Sequence, residues 1–240
     1  MRPDTAAAPN PYRLQRVEDF LARVGDGLLT LSCRESNIAP DSLLAIDRRR
    51  AEELKAGDAS WITQFERGVS QALIKQYTNS VNTYTAAIDR NPSNPFLYFN
   101  RSTTRAEMID FISSIDNSYQ RITIDSDPAN RLNNNSKRTY SYDEAVADLN
   151  KALKLFPDFA HAYYNRANLQ ALSGRLPEAF EDYTKAIGLN PSFAEAYYNR
   201  GIVQIFMKDT RKGCLDLSKA GELGITEAYE VLKRYAQTQD

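Results

Sequence analysis

Two phrases decide the reading: FAHAYYNRANL at residues 159–169 and FAEAYYNRGIV at residues 193–203, set 34 residues apart. A third stretch, PFLYFNRSTTR (95–105), follows the same pattern. A fourth, WITQFERGVSQ (61–71), lies 34 residues before the third. A fixed period of this length marks a repeated helical unit that buries its apolar face only by stacking on its neighbours.

The register holds position by position. With repeats starting at Trp61, Pro95, Ala160 and Ala194, position 8 is Gly68, Ser102, Ala167 and Gly201. Position 20 is Ser80, Ala145, Ala179 and Gly213, and position 27 is Ala87, Ala152, Ala186 and Ala220. Small residues at fixed spacing let two helices, A and B, approach closely within each unit. Tyr84, Leu149, Tyr183 and Leu217 at position 24 supply the complementary bulk. Pro92, Pro157 and Pro191 at position 32 stop helix B, because proline cannot continue a helix interior. Asn94-Pro95 reads as an N-cap followed by proline at the first helical position. Ser192–Glu195 and Ser141–Glu144 have the capping-box pattern, and Gly174 falls at an A–B turn.

The step from Pro95 to Ala160 is 65 residues, so one unit carries an insertion, at about residues 111–140. Its second half, SDPANRLNNNSKR (126–138), is polar and loop-like. It reads either as a solvated excursion or as an arm that extends helix A toward a binding surface. The expected organisation is a flexible start (1–11), an N-terminal helical region (12–60), four repeats (61–94, 95–159, 160–193 and 194–227) and the end of a capping helix with a tail (228–240). In the N-terminal region Leu14, Val17, Phe20, Leu21, Val24 and Leu28 follow helical spacing. A second helix is expected after Pro40, from Asp41 to Leu54.

Composition narrows the function. Thirty Lys and Arg face 31 Asp and Glu, a net charge of −1. That balance argues against binding a phosphate backbone, which needs a basic surplus. A single histidine, His161, and two cysteines, Cys33 and Cys214, leave little for a metal site or a disulfide framework. No glycine-rich phosphate loop is present. No cofactor and no catalysis are therefore expected, and no apolar run approaches a membrane span. The abundant resource is aromatic, with 14 Tyr and 10 Phe.

These features resemble the tetratricopeptide repeat (TPR) family over about 70% of the chain. YYNRA near Tyr163 and GCLDLSKAGELGITEAYEVLKRY (213–235) are similar to the C-terminal part of uncharacterised bacterial members, in which the repeats follow a longer, often exported, N-terminal region. The resemblance implies an all-α solenoid of antiparallel helix pairs, with A helices lining a concave groove. The expected location is cytoplasmic for the chain as it stands, and extracytoplasmic if it belongs to a longer exported protein.

Carrying over the family's groove positions residue by residue places Phe65, Phe99, Tyr164 and Tyr198 at position 5. Glu66, Asn100, Asn165 and Asn199 stand at position 6. Asn168 and Ile202 stand at position 9, and His161 and Glu195 at position 2. Asparagine amides donate and accept, so they can pair with a peptide backbone whatever its sequence. Aromatic faces add apolar area at low entropic cost. The resemblance thus implies a scaffold that binds a peptide segment or a protein surface; self-association within a larger assembly is the alternative. No basic residue occupies positions 2, 5 or 6, which departs from family members that clamp a C-terminal carboxylate. Arginine recurs instead at position 7, as Arg67, Arg101, Arg166 and Arg200. Asp148, Asp182 and Asp216 stand at position 23, so the expected use is A–B ion pairing rather than phosphate binding.

Overall fold

The computed structural model describes residues 40–55, 61–126 and 141–236. Ten helices are described: α1 (Pro40–Lys55), α2 (Trp61–Leu73), α3 (Tyr77–Arg90), α4 (Pro95–Ser126), α5 (Asp143–Leu155), α6 (Ala160–Leu172), α7 (Leu176–Leu189), α8 (Ala194–Phe206), α9 (Thr210–Glu222) and α10 (Glu227–Ala236). No strand occurs among the described residues. The even-numbered helices α2 to α8 are the A helices, and α3, α5, α7 and α9 are their B partners. Each helix packs on the next along the chain.

Small residues sit where the pairs cross. Ser80 Oγ donates to Gly68 O at 2.7 Å and Ser102 Oγ to Ala145 O at 2.8 Å. A Cβ on Gly201 would lie 2.8 Å from Gly213 O, and one on Gly213 would lie 2.6 Å from Gly201 O. Here the backbones themselves touch, and only glycine fits. Tyr84, Leu149, Tyr183 and Leu217 are all buried, as are the four alanines at position 27.

The A–B turns share one geometry. Lys75, Gly174 and Lys208, all at position 15, adopt φ of 62°, 76° and 68°. In each turn the following N–H reaches back five residues: Gln76 N to Gln71 O at 2.8 Å, Arg175 N to Gln170 O at 2.8 Å, and Asp209 N to Gln204 O at 2.9 Å. This is the Schellman arrangement that closes a helix through a left-handed residue. The second repeat carries Ile109 at this position, and a β-branched residue resists positive φ. Helix A therefore does not close there. It runs on as α4, 32 residues long against 13 for α2, α6 and α8. Of the two readings of the insertion, its first part is thus an extension of helix A; residues 127–140 lie outside the described residues.

Asn94 caps α4 as expected, its Oδ1 accepting from Phe96 N at 3.0 Å. The two capping boxes do not form. Ser192 instead closes a local turn, with its N and Oγ donating to Asn190 Oδ1 at 3.2 and 2.8 Å. Ser141 Oγ accepts from Asp143 N at 3.1 Å, while Glu144 pairs with Arg105. Neither glutamate reaches back because the helices begin slightly later than the pattern implies, at Asp143 and Ala194.

The helix expected after Pro40 is present as α1. It runs antiparallel to α2: Arg67 Nε reaches Asp47 at 2.9 Å, and Arg50 pairs with Glu66 one turn away. The helical pattern at residues 14–28 lies outside the described residues. At the other end α10 packs on α9, where Val231 and Leu232 join Tyr198, Ile202 and Ile205 of α8 around the buried Leu217, Ala220 and Ala228. No described helix is long and apolar enough to cross a membrane.

Candidate functional site

The position-7 arginines are internal struts. Arg101 Nε and Nη2 donate to Asp148 at 2.9 and 2.6 Å. Arg166 meets Asp182 at 2.6 Å through both nitrogens, and Arg200 meets Asp216 at 2.6 and 2.8 Å. The third nitrogen of each fork reaches the B helix of the preceding repeat. Arg101 Nη1 donates to Thr85 Oγ1 at 3.0 Å, Arg166 Nη1 to Asn150 Oδ1 at 2.6 Å, and Arg200 Nη1 to Thr184 Oγ1 at 3.1 Å. Each guanidinium also lies over a position-4 tyrosine, at 5.8, 5.5 and 5.6 Å for Tyr98, Tyr163 and Tyr197. One arginine thus ties A to B within a repeat and the repeat to its predecessor. These cations are spent on the scaffold.

Phe65 and Phe99 do not face a groove. Each is 1% exposed and packed in the core, Phe65 against Tyr84 at 6.1 Å and Phe99 against Phe159 at 4.8 Å. Glu66 is engaged with Arg50 of α1. Asn100 turns onto its own helix and donates to Phe96 O at 2.8 Å. The first two repeats therefore contribute little of the expected surface.

The last two repeats differ. Asn199 Nδ2 of α8 donates to Tyr164 Oη at 3.1 Å and to Asn168 Oδ1 at 3.0 Å, both on α6. Tyr183 Oη of α7 donates to the same Asn168 oxygen at 2.5 Å. Asn168, Tyr164 and Asn199 are each half-buried. Burial pushes the Tyr164 and Tyr183 hydroxyls above the ordinary phenol range, so both stay protonated. Asn165, also on α6, is 2% exposed, and among the described residues neither its Oδ1 nor its Nδ2 has a hydrogen-bond partner. The three asparagines of one sequence column thus have three different hydrogen-bonding states.

His161 stands against Phe193 at 5.0 Å, and Tyr164 against the same ring at 4.8 Å. Burial holds the imidazole below its ordinary value, against the smaller upward pull of Glu195. Glu195 itself is exposed, Tyr198 is half-buried, and Ile202 is packed partly into the core of the last repeat. Sequence reasoning missed Phe159 and Phe193, which plug between successive A helices. The signal was present, since both repeat phrases begin with that phenylalanine. It also missed Leu172 and Phe206, at position 13, which are 65% and 70% exposed. Among the described residues no group of three His, Cys, Asp or Glu side chains is placed to hold a metal ion.

The paired helices, their shared turns and the Arg–Asp struts define an α-solenoid of TPR type. A family model described as TPR repeat matches residues 141–174 and 171–205. Residues 141–205 are thus tetratricopeptide repeats, and the helix pairs before and after them share the same fold. Solved structures share the fold over most of their length. MamA from Desulfovibrio magneticus RS-1 aligns with a TM-score of 0.59 and 14% identity, over 87% of this chain and 92% of that one. YrrB, described as a TPR protein with an unusual peptide-binding site, aligns at 0.56 and 16%, over 80% and 86%. TTC0263, a thermophilic TPR protein of Thermus thermophilus, aligns at 0.54 and 15%, over 83% and 98%. No curated protein sequence matches the chain.

Proposed function

We propose that the chain is a non-catalytic protein-interaction module that holds an extended peptide segment on the face shared by α6 and α8. The observation that carries this reading is the half-buried polar cluster of Tyr164, Asn168 and Asn199. Asn199 Oδ1 and Asn168 Nδ2 are left there to accept from and donate to a peptide group. Such pairing reads backbone rather than side chains, so it suits an extended segment. Selectivity then falls to the margin. Leu172 and Phe206 offer apolar anchors at the ends of α6 and α8, and exposed Glu195 favours a neutral or basic segment. The peptide-binding description of YrrB is compatible with this use of the fold. The same face is preformed by the repeat stack, so little ordering opposes binding.

The test is capture of peptides from a random display library, comparing the native chain with an Asn168→Ala/Asn199→Ala double variant. Library-selected peptides are expected to lose affinity for the variant while its helical content is unchanged. Equal affinity in a folded double variant removes the proposal.

A further inference from the structure

The face shared by α6 and α8 is graded from one end to the other. On α8, Glu195, Asn199 and Phe206 stand at steps of four and seven; on α6, His161, Asn168 and Leu172 stand at steps of seven and four. Both sets of steps keep side chains on one stripe of a helix. At the N-terminal ends Glu195 comes close to His161 and Tyr164: its negative charge opposes the effect of burial on the imidazole and adds to it on the phenol. The middles meet where Asn199 Nδ2 donates to Asn168 Oδ1 at 3.0 Å. At the C-terminal ends Leu172 and Phe206 are exposed.

Charge on the two helices reduces to one group. Arg166 and Arg200 are held by Asp182 and Asp216. Burial favours the neutral form of the His161 imidazole. Glu195 is the remaining charged side chain of α6 and α8; it is exposed, and no cation among the described residues pairs with it. A free carboxylate at the rim of a binding face attracts a cation and repels an anion. At the opposite end, exposed Leu172 and Phe206 offer apolar area that only an apolar group covers favourably.

Distance sets the spacing of the two complementary groups. Eleven steps along α8 separate Glu195 from Phe206, about 16 Å of helix at 1.5 Å per residue. An extended segment advances about 3.3 Å per residue and points every second side chain the same way. Residues four apart therefore share a side and span about 13 Å. The long stem of a lysine or arginine covers the remaining ~3 Å. The peptide groups between the two residues then cross Asn168 and Asn199.

Resting on the peptide-binding role of this face, we infer that the bound segment carries a basic residue at Glu195 and a large apolar residue four positions away, at Leu172 and Phe206. The test is selection of a random peptide display library on the full native chain and on Glu195→Lys, a change at an exposed position. The native chain is expected to enrich Lys or Arg four positions from a large apolar residue. Glu195→Lys is expected to enrich Asp or Glu at the same place and to keep the apolar residue. In one native-selected peptide, exchanging the basic residue for Glu is expected to weaken binding to the native chain about tenfold or more. The same exchanged peptide is expected to bind Glu195→Lys better than it binds the native chain. Peptides whose capture needs Asn168 and Asn199 but that lack the spaced basic residue overturn this inference and leave the binding role standing. Selection of the same basic residue by Glu195→Lys overturns it as well. So does an anchor spacing of about eleven residues, which belongs to a helix lying along the same stripes. No capture by the native chain overturns the inference and the binding role together.

Discussion

Arg166 donates to both carboxylate oxygens of Asp182 at 2.6 Å, with Asp182 buried and Arg166 mostly so. The same fork reaches Asn150 of the preceding B helix at 2.6 Å. A lysine cannot reproduce three directed bonds in one plane. Arg166→Lys is expected to destabilise the array by about 1–2 kcal/mol. A double-mutant cycle of Arg166→Ala and Asp182→Ala is expected to return a coupling of about 1–3 kcal/mol. Urea denaturation checks both, and a coupling near zero contradicts the strut.

Two glycines on successive helices are predicted to respond with opposite signs. A Cβ at position 201 meets Gly213 O at 2.8 Å, whereas one at position 188 meets nothing within 4 Å. Gly201→Ala is expected to cost about 1–3 kcal/mol by forcing α8 and α9 apart. Gly188→Ala, near the end of α7, is expected to add about 0.5 kcal/mol by restricting the unfolded chain. Thermal melts of the two variants read the signs directly.

The A–B turns predict the same kind of contrast. Lys208 holds φ at 68° and Gly174 at 76°, a region that costs a residue with a Cβ about 1 kcal/mol. Lys208→Gly is expected to raise stability by about that amount, and Gly174→Ala to lower it similarly. No change in either variant contradicts the Schellman reading of these turns.

Stability is predicted to fall in mild acid through His161. Burial lowers its folded value below the ordinary 6.5. The unfolded chain then binds the proton more readily, so the contribution is fully present above 6.5 and is lost as pH falls through the folded value. Comparing urea midpoints between about pH 7.5 and pH 5, the native chain is expected to lose more stability than His161→Gln. Parallel profiles contradict the assignment.

The fold was legible because its determinants repeat. Twelve small residues at three positions, and the Arg and Asp columns, fix which helix faces which. The length of α4 was less legible, since it turns on one residue, Ile109, standing where other repeats place a left-handed turn. The groove was the least legible. Sequence columns made Asn100, Asn165 and Asn199 equivalent, yet their partners come from neighbouring helices, and the neighbours differ. Phe65 and Phe99 read as groove aromatics because position alone does not show the ring that covers them; for Phe99 that ring is Phe159.

Asn165 separates a structural role from a binding role. Replacing its unpartnered buried amide by an apolar side chain of similar size removes a desolvation cost. Asn165→Leu is expected to stabilise the fold by about 1 kcal/mol and to leave peptide capture unchanged. Destabilisation in a chemical melt makes the residue structural instead.

The central claim, that a peptide lies on the face shared by α6 and α8, is tested most directly by photo-cross-linking from two similarly exposed positions. Phe206 ends α8 at the margin of that face and is 70% exposed, whereas Leu215 stands on the outer helix α9 at 65%. With a benzophenone side chain at either position and a library-selected peptide bound, cross-linking is predicted from position 206 and not from position 215. Cross-linking from 215 alone contradicts the account.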